Sequence, residues 1–336
     1  MRKKFLMVSL CVVVVLLFVG TIVARNRLFN YMKVPAWVKW LCESQESDSY
    51  GVKKQNMSTE SMGAGAASYY QVLGDAILYM NDMDELVSVQ KKGYKSKTLM
   101  DYVEMFLVRD GKIYYTSYDD MTYKVLCYDM ANNQTSVIEG MQTCEDWFTI
   151  EGDKIIYFHL AEKKEEEVPS IRCYDLKTKE DRELYVMQSA EEIYLEDAYL
   201  LDNGMIFMLL VHESEETDSV LDDDGLYSTV VYSINDKKGV EKKIESGTYT
   251  EYQDAVAIGS NLYLTGLVDE KKRNYEVFRL SVAGDTMALE SEKIYSDKND
   301  FSLWIRDGKL YRRMNSSGEH MSGGGRKEDF IEIAID

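Results

Sequence analysis

The chain has 336 residues, 45% of them hydrophobic, and a formal net charge of −19, enough apolar material for a sizeable core. Seven basic and no acidic side chains precede Glu43, which leaves 32 basic against 58 acidic ones beyond it, a formal charge of −26. A surface that acidic repels phosphate backbones and anionic head groups, which excludes DNA and RNA as partners.

Phe5 to Ala24 is almost wholly apolar. About 20 residues cross a hydrocarbon core as a helix at 1.5 Å per residue, so this stretch is expected to be a transmembrane signal-anchor. Arg2, Lys3 and Lys4 before it favour a cytoplasmic tail of residues 1–4. A cleaved signal peptide competes with this reading, but Ile22 and Ala24 make a mediocre small-residue site. Leu10 before Cys11 and Leu41 before Cys42 are too bulky for a lipoprotein signal.

Residues 25–68 read as a juxtamembrane segment and linker. Tyr31, Trp37 and Trp40 among Lys33 and Lys39 suit a membrane interface, where aromatic rings and snorkelling ammonium groups both find a wet edge. The alternative is a short helix packed on the folded domain. Glu43 to Ser68 is polar and rich in small residues, with little to bury.

From residue 69 to 336 the pattern changes to strands. Phe106 to Met130 contains a strand, an Asp110-Gly111 turn, a second strand through Ile113-Tyr114-Tyr115, a polar loop and a third strand through Val125 to Tyr128. Asp-Gly between alternating apolar residues is a strong hairpin signal, because glycine takes positive φ without steric cost. The same unit recurs six times, anchored at Ile77, Ile113, Ile155, Ile206, Leu262 and Leu310, at spacings of 36 to 56 residues. Four short strands in about 40 residues match one propeller blade. The fold class is therefore all-β, a six-bladed β-propeller preceded by one transmembrane helix; five or seven blades also fit the spacing, and a β-sandwich is the generic rival. The sixth copy shows three clear strands, so a fourth is expected from the segment just before Tyr70, closing the ring.

The chain carries no Walker loop, dinucleotide fingerprint, HExxH or GxSxG. Gly323-Gly324-Gly325-Arg326-Lys327 lacks the Ser or Thr of a phosphate cradle, and Asp222-Asp223-Asp224-Gly225 lacks the first ligand and the downstream Glu of a calcium loop. The S-x-x-K pair Ser88 and Lys91 has no partner motif. His159, His212 and His320 all follow second strands, yet nothing in their spacing requires a metal. No catalytic, cofactor or metal residue is assigned. Cys127 and Cys173 occupy equivalent third-strand positions and are expected to pack between blades; Cys144 has no assigned place, and free thiols are expected throughout. The second-to-third-strand connections vary most in length, notably Val211 to Tyr227 and Arg312 to Asp329, so their common face is the expected binding side.

The stretch Gly111-Lys112-Ile113-Tyr114-Tyr115-Thr116, followed by Leu126 and Tyr128, resembles the propellers of bacterial membrane-anchored surface proteins and, distantly, the YWTD repeats of lipoprotein receptors. Tyr114 and Thr116 match the tetrad; Tyr115 and Ser117 do not. The resemblance implies a membrane-attached binding or scaffolding domain; with the apolar span, the expectation is a single-pass cell-membrane protein with the propeller outside, binding a protein, peptide or glycan without catalysis. A propeller glycan hydrolase or lyase with acidic residues in the central pocket is the alternative, and a structural accessory of an envelope or secretion complex is another. Neither a cofactor nor a catalytic residue comes with it.

Overall fold

The computed structural model describes residues 34–44, 53–57, 66–81, 83–117, 124–144, 147–163, 166–186, 193–212, 226–233, 238–243, 251–269, 271–283, 288–314 and 330–335. The expected span 5–24 lies outside them. Among the described residues no helix is long and apolar enough to cross a membrane.

The strands form six sheets, each an antiparallel meander in chain order. The first holds β1 (Lys53–Met57), β2 (Ala66–Leu73), β3 (Ala76–Met80), β4 (Leu86–Gln90) and β5 (Ser96–Met100). The second holds β6 (Val103–Arg109), β7 (Lys112–Ser117), β8 (Val125–Asp129) and β9 (Gln134–Val137). The third runs β10 (Phe148–Glu151), β11 (Lys154–Lys163), β12 (Glu166–Asp175) and β13 (Asp181–Val186). The fourth runs β14 (Ile193–Leu200), β15 (Met205–His212), β16 (Leu226–Ser233) and β17 (Lys238–Lys243). The fifth has β18 (Glu251–Ile258), β19 (Asn261–Asp269), β20 (Asn274–Ala283) and β21 (Ala288–Asp297), and the sixth β22 (Phe301–Arg306), β23 (Lys309–Met314) and β24 (Phe330–Ile333).

The repeat is real in the register. Ile77, Ile113, Ile155, Ile206, Leu262 and Leu310 are all fully buried. Each sits on the second strand of its blade's meander, opposite Val72, Val108, Ile150, Leu200, Ala257 and Ile305 respectively. The turns that place them follow the glycine logic. Asp110 and Gly111 have φ of 50° and 75°, and Asp307 and Gly308 have 52° and 70°, the paired positive φ of a type I′ hairpin.

Apolar clusters fill the gaps between successive sheets. Leu78 and Leu86 meet Phe106 and Ile113 between the first and second. Met105 and Tyr114 meet Phe148 and Tyr157, which continue to Ile206 and Tyr232. Phe207 and Val231 meet Leu262 and Leu264, and Tyr263 and Val277 meet Phe301 and Leu303. The last cluster joins the sixth sheet to the first, which makes the array a closed six-bladed propeller.

That closure departs from the expected one. The segment before Tyr70 belongs to β2 of the first sheet, and the sixth sheet has three strands among the described residues. The seam is filled instead by a helix, α1 (Ala36–Leu41). Six residues without a side-chain N-cap cannot hold a helix alone, so burial holds it. Val38 and Leu41 are buried, with Trp37 5% and Trp40 3% exposed. Trp37 packs edge-on to Tyr79 of the first sheet at 5.2 Å and against Trp304 of the sixth at 5.6 Å. Trp40 stacks on Phe330 at 4.2 Å and meets Tyr311 edge-on at 5.1 Å. Arg306 donates to the Trp40 carbonyl at 3.2 Å while its guanidinium lies 4.4 Å from the Trp40 ring centre, a cation at the helix C-terminus.

Trp37 and Trp40 are therefore not a membrane-interface belt: their rings have no surface left for lipid. Likewise 25–68 is not linker throughout, because α1 and β1 within it are folded into the propeller.

Truncating Trp40 to alanine should cost about 3–5 kcal/mol, the range for a buried large aromatic, read by equilibrium denaturation. Cys42, 9% exposed in the same cluster with its thiol pushed up to about 12 by burial, should then react readily with a thiol reagent. Unchanged stability and an inert Cys42 would show that the helix is not what closes the ring.

Candidate functional site

Antiparallel meanders put the first-to-second turns on one face of the ring and the second-to-third connections, with the blade-to-blade crossovers, on the other. The inner strands are β2, β6, β10, β14, β18 and β22, the first of each four-strand unit. Three pairs of them are direct neighbours in the fold: β18 lies against β22 and against β14, and β2 against β6.

An inner strand has a bare backbone edge, and the blades satisfy part of it with side chains. Gln71 on β2 both accepts from the Val108 N–H at 2.8 Å and donates to the Val108 carbonyl at 3.0 Å. Arg109 donates to the Ile150 carbonyl and Tyr199 to the Ala255 carbonyl, each at 2.8 Å. Asp254, 2% exposed, accepts from the Leu303 N–H at 2.7 Å. Tyr70 of the first blade donates to the Ile305 carbonyl of the sixth at 3.4 Å, across the seam. These polar side chains face the next blade's backbone, so they hold the ring rather than greet a ligand.

β1 is different. It pairs antiparallel with β2, from Lys53 opposite Tyr70 to Met57 opposite Ala66. The first sheet already has a four-strand meander in β2 to β5, so β1 is a fifth strand on the axial side. It also lies against β18 and β22, the inner strands of the fifth and sixth sheets. A segment expected as linker thus stands inside the ring. Sequence reasoning missed it because Lys-Lys-Gln-Asn-Met carries no alternating apolar signal.

A second polar constellation sits between the second and third sheets. Tyr157 donates to Asp181 at 2.5 Å, and Arg172 Nε lies 3.2 Å from the other Asp181 oxygen. The Gln142 N–H donates to the same carboxylate at 2.9 Å, and the Tyr174 hydroxyl donates to the Glu139 carbonyl at 2.7 Å. His159 Nδ1 lies 3.0 Å from both the carbonyl oxygen and Oγ1 of Thr143. Burial holds the Tyr157 hydroxyl well above the usual phenol range, with the Asp181 carboxylate adding to it. Burial lowers His159 below 6.5 against the opposing pull of the Thr143 carbonyl. Every partner belongs to β11–β13 or to the crossover 138–147, so the constellation pins that crossover.

The other sequence candidates do not converge. Asp222 to Asp224, Glu213 to Glu216, His320 and Gly323 to Lys327 lie outside the described residues, as does the His212 side chain. Among the described residues there is no cluster of three or more His, Cys, Asp or Glu able to hold a metal. Cys127 and Cys173 do occupy equivalent positions, opposite Tyr114 and Ile156, and both are free thiols, as is Cys42.

No family model and no curated protein matches the chain. Solved structures with a similar outline include an oligogalacturonate lyase in complex with manganese (12% identical, covering 81% of each chain, TM-score 0.48). Another is in a nidogen/laminin complex (10% identical, 73% of this chain and 92% of that one, TM-score 0.44). A third is the β-propeller domain of the Trilobed protease from Pyrococcus furiosus (13% identical, 81% and 79%, TM-score 0.44). At these identities and TM-scores they establish no activity for this chain.

Replacing Asp181 by alanine removes a half-buried acceptor shared by Tyr157, Arg172 and the Gln142 N–H and should destabilise by about 1–3 kcal/mol; Tyr157→Phe should cost about 1 kcal/mol. Denaturant titration of both variants checks this. Because the folded state disfavours the His159 cation, the stability due to neutral His159 is intact above pH 6.5 and lost as pH falls below it. His159→Gln should therefore flatten the decline in melting temperature between pH 7 and pH 5.5. An identical decline in variant and wild type would remove His159 as its source.

Proposed function

We propose that this chain is a non-enzymatic, membrane-anchored binding or scaffolding propeller, single-pass in the cell membrane with the ring on the extracytoplasmic side. Phe5 to Ala24 serves as the tether. The strongly acidic folded part keeps the ring soluble and off anionic lipid.

One observation carries the choice of binding over catalysis. A propeller glycan hydrolase or lyase needs carboxylates around an open axial funnel. Here β1 stands in the axial space, against β2, β18 and β22, and its sequence Lys-Lys-Gln-Asn-Met has two cations and no carboxylate. Ligand capture then falls to the loop face, where the second-to-third connections are longest and most acidic by sequence.

The tether reading predicts that full-length protein stays with membranes in alkaline carbonate, whereas a chain lacking residues 1–30 is released. External protease should digest the ring on intact cells. Protection of the ring would place it in the cytosol and end the localisation half of the proposal. His212 and Leu226 are paired across β15 and β16, so residues 213–225 can be replaced by a short Gly-Ser turn without breaking the hairpin. That change should lower co-purification of a membrane partner at least fivefold with little change in melting temperature; undiminished capture would remove the loop face as the binding side.

A further inference from the structure

We propose that the axial edge of β2 is a binding site for an extended polypeptide, recognised through its main chain, and that Lys53–Met57 is its occupant in cis. This rests on the binding reading above and goes beyond it, adding to the loop face a second, axial site with a named ligand class.

Three observations lead there. First, β1 is supernumerary. The first blade has four strands without it, from β2 to β5, like the second to the fifth blades. Second, the ring does not need β1 to close. The seam between the sixth and first sheets is filled by α1 through Trp37, Trp40 and Leu41, and pinned by Arg306 on the Trp40 carbonyl. Ser44, just beyond the helix, donates to Asp307 at 2.8 Å and fixes the chain upstream of β1. Removing β1 from the axis would therefore bare the inner edge of β2 within a ring that still closes. Third, the pairing is generic. Lys53, Lys54, Gln55, Asn56 and Met57 include no β-branched or aromatic residue, and their pairing with Tyr70 to Ala66 is a main-chain ladder that another extended segment could make.

Addition of a strand to a bare sheet edge is a common mode of peptide recognition, with affinity from main-chain hydrogen bonds. The neighbours set the width of the slot: β18 and β22 flank β1, so it holds one strand and no second. The residues between β1 and β2, Ser58-Thr59-Glu60-Ser61-Met62-Gly63-Ala64-Gly65, contain no proline and only one large apolar side chain. A cis strand on so short a connection competes at an effective concentration on the order of millimolar, which makes β1 a gate against weak trans ligands.

The test uses full-length protein and fluorescein-labelled synthetic peptides. In the variant Lys54→Pro with Gln55→Pro, two adjacent N–H groups are lost, one of which must point toward β2 whichever way the strand alternates. Far-UV circular dichroism and tryptophan fluorescence confirm that the ring is intact, since Trp37, Trp40 and Trp304 all lie in the seam. A peptide of the sequence of residues 51–59 should bind this variant saturably and bind wild type at least tenfold more weakly. A scrambled peptide of the same composition should bind within about threefold of the first, and one N-methylated at alternate positions should not bind. No binding to the folded variant, or binding of the native sequence alone, would overturn the proposal. If peptides fail while the membrane partner is still captured, the inference fails and the binding reading stands. If the variant does not fold, β1 is part of the scaffold and the proposal is overturned.

Discussion

Closing a ring of sheets leaves one junction that chain continuity cannot cover, and here that junction is held by indole rings. The sixth blade offers Trp304, Tyr311 and Phe330, the first offers Tyr70 and Tyr79, and Trp37 and Trp40 of α1 are driven between them. Burying two indoles and their aliphatic neighbours supplies several kcal/mol, where a shared strand would have used main-chain hydrogen bonds. The device makes the ring depend on a six-residue helix that has no cap and no stability of its own.

The same junction ties the domain to whatever precedes it. α1 lies just downstream of the apolar stretch proposed as tether, and the Arg306 guanidinium holds its last turn against both the Trp40 carbonyl and ring. In the proposed topology eleven residues of chain, 25–35, separate the tether from the helix that closes the ring.

Polar groups inside the ring divide into two kinds. Gln71, Arg109, Tyr199 and Asp254 each reach one blade onward to a backbone group, Tyr70 reaches back across the seam to the sixth blade, and Tyr157, Arg172 and Asp181 bind the crossover between the second and third sheets. All of them are structural by their partners. What is left unexplained by ring-building is β1, and for that reason it carries the functional argument.

The six-fold repeat was legible in the sequence because it rests on local signals: positive-φ turns such as Asp110-Gly111 and Asp307-Gly308, each followed by an aliphatic residue that reaches the core. Those signals predicted all six buried anchors and the equivalence of Cys127 and Cys173. They could not place Trp37 and Trp40, since an amphipathic aromatic pair beside cations reads equally as membrane interface or packed helix. The choice was made by aromatic rings more than 260 residues away in the chain, at Trp304 and Phe330. Nor could they place Lys53–Met57, whose residues have no strand pattern and whose pairing depends on a bare backbone edge that exists only once the ring has formed. Short-range periodicity and turn chemistry therefore determined the blades; the seam and the axis were decided by which surfaces the closed ring leaves unpaired.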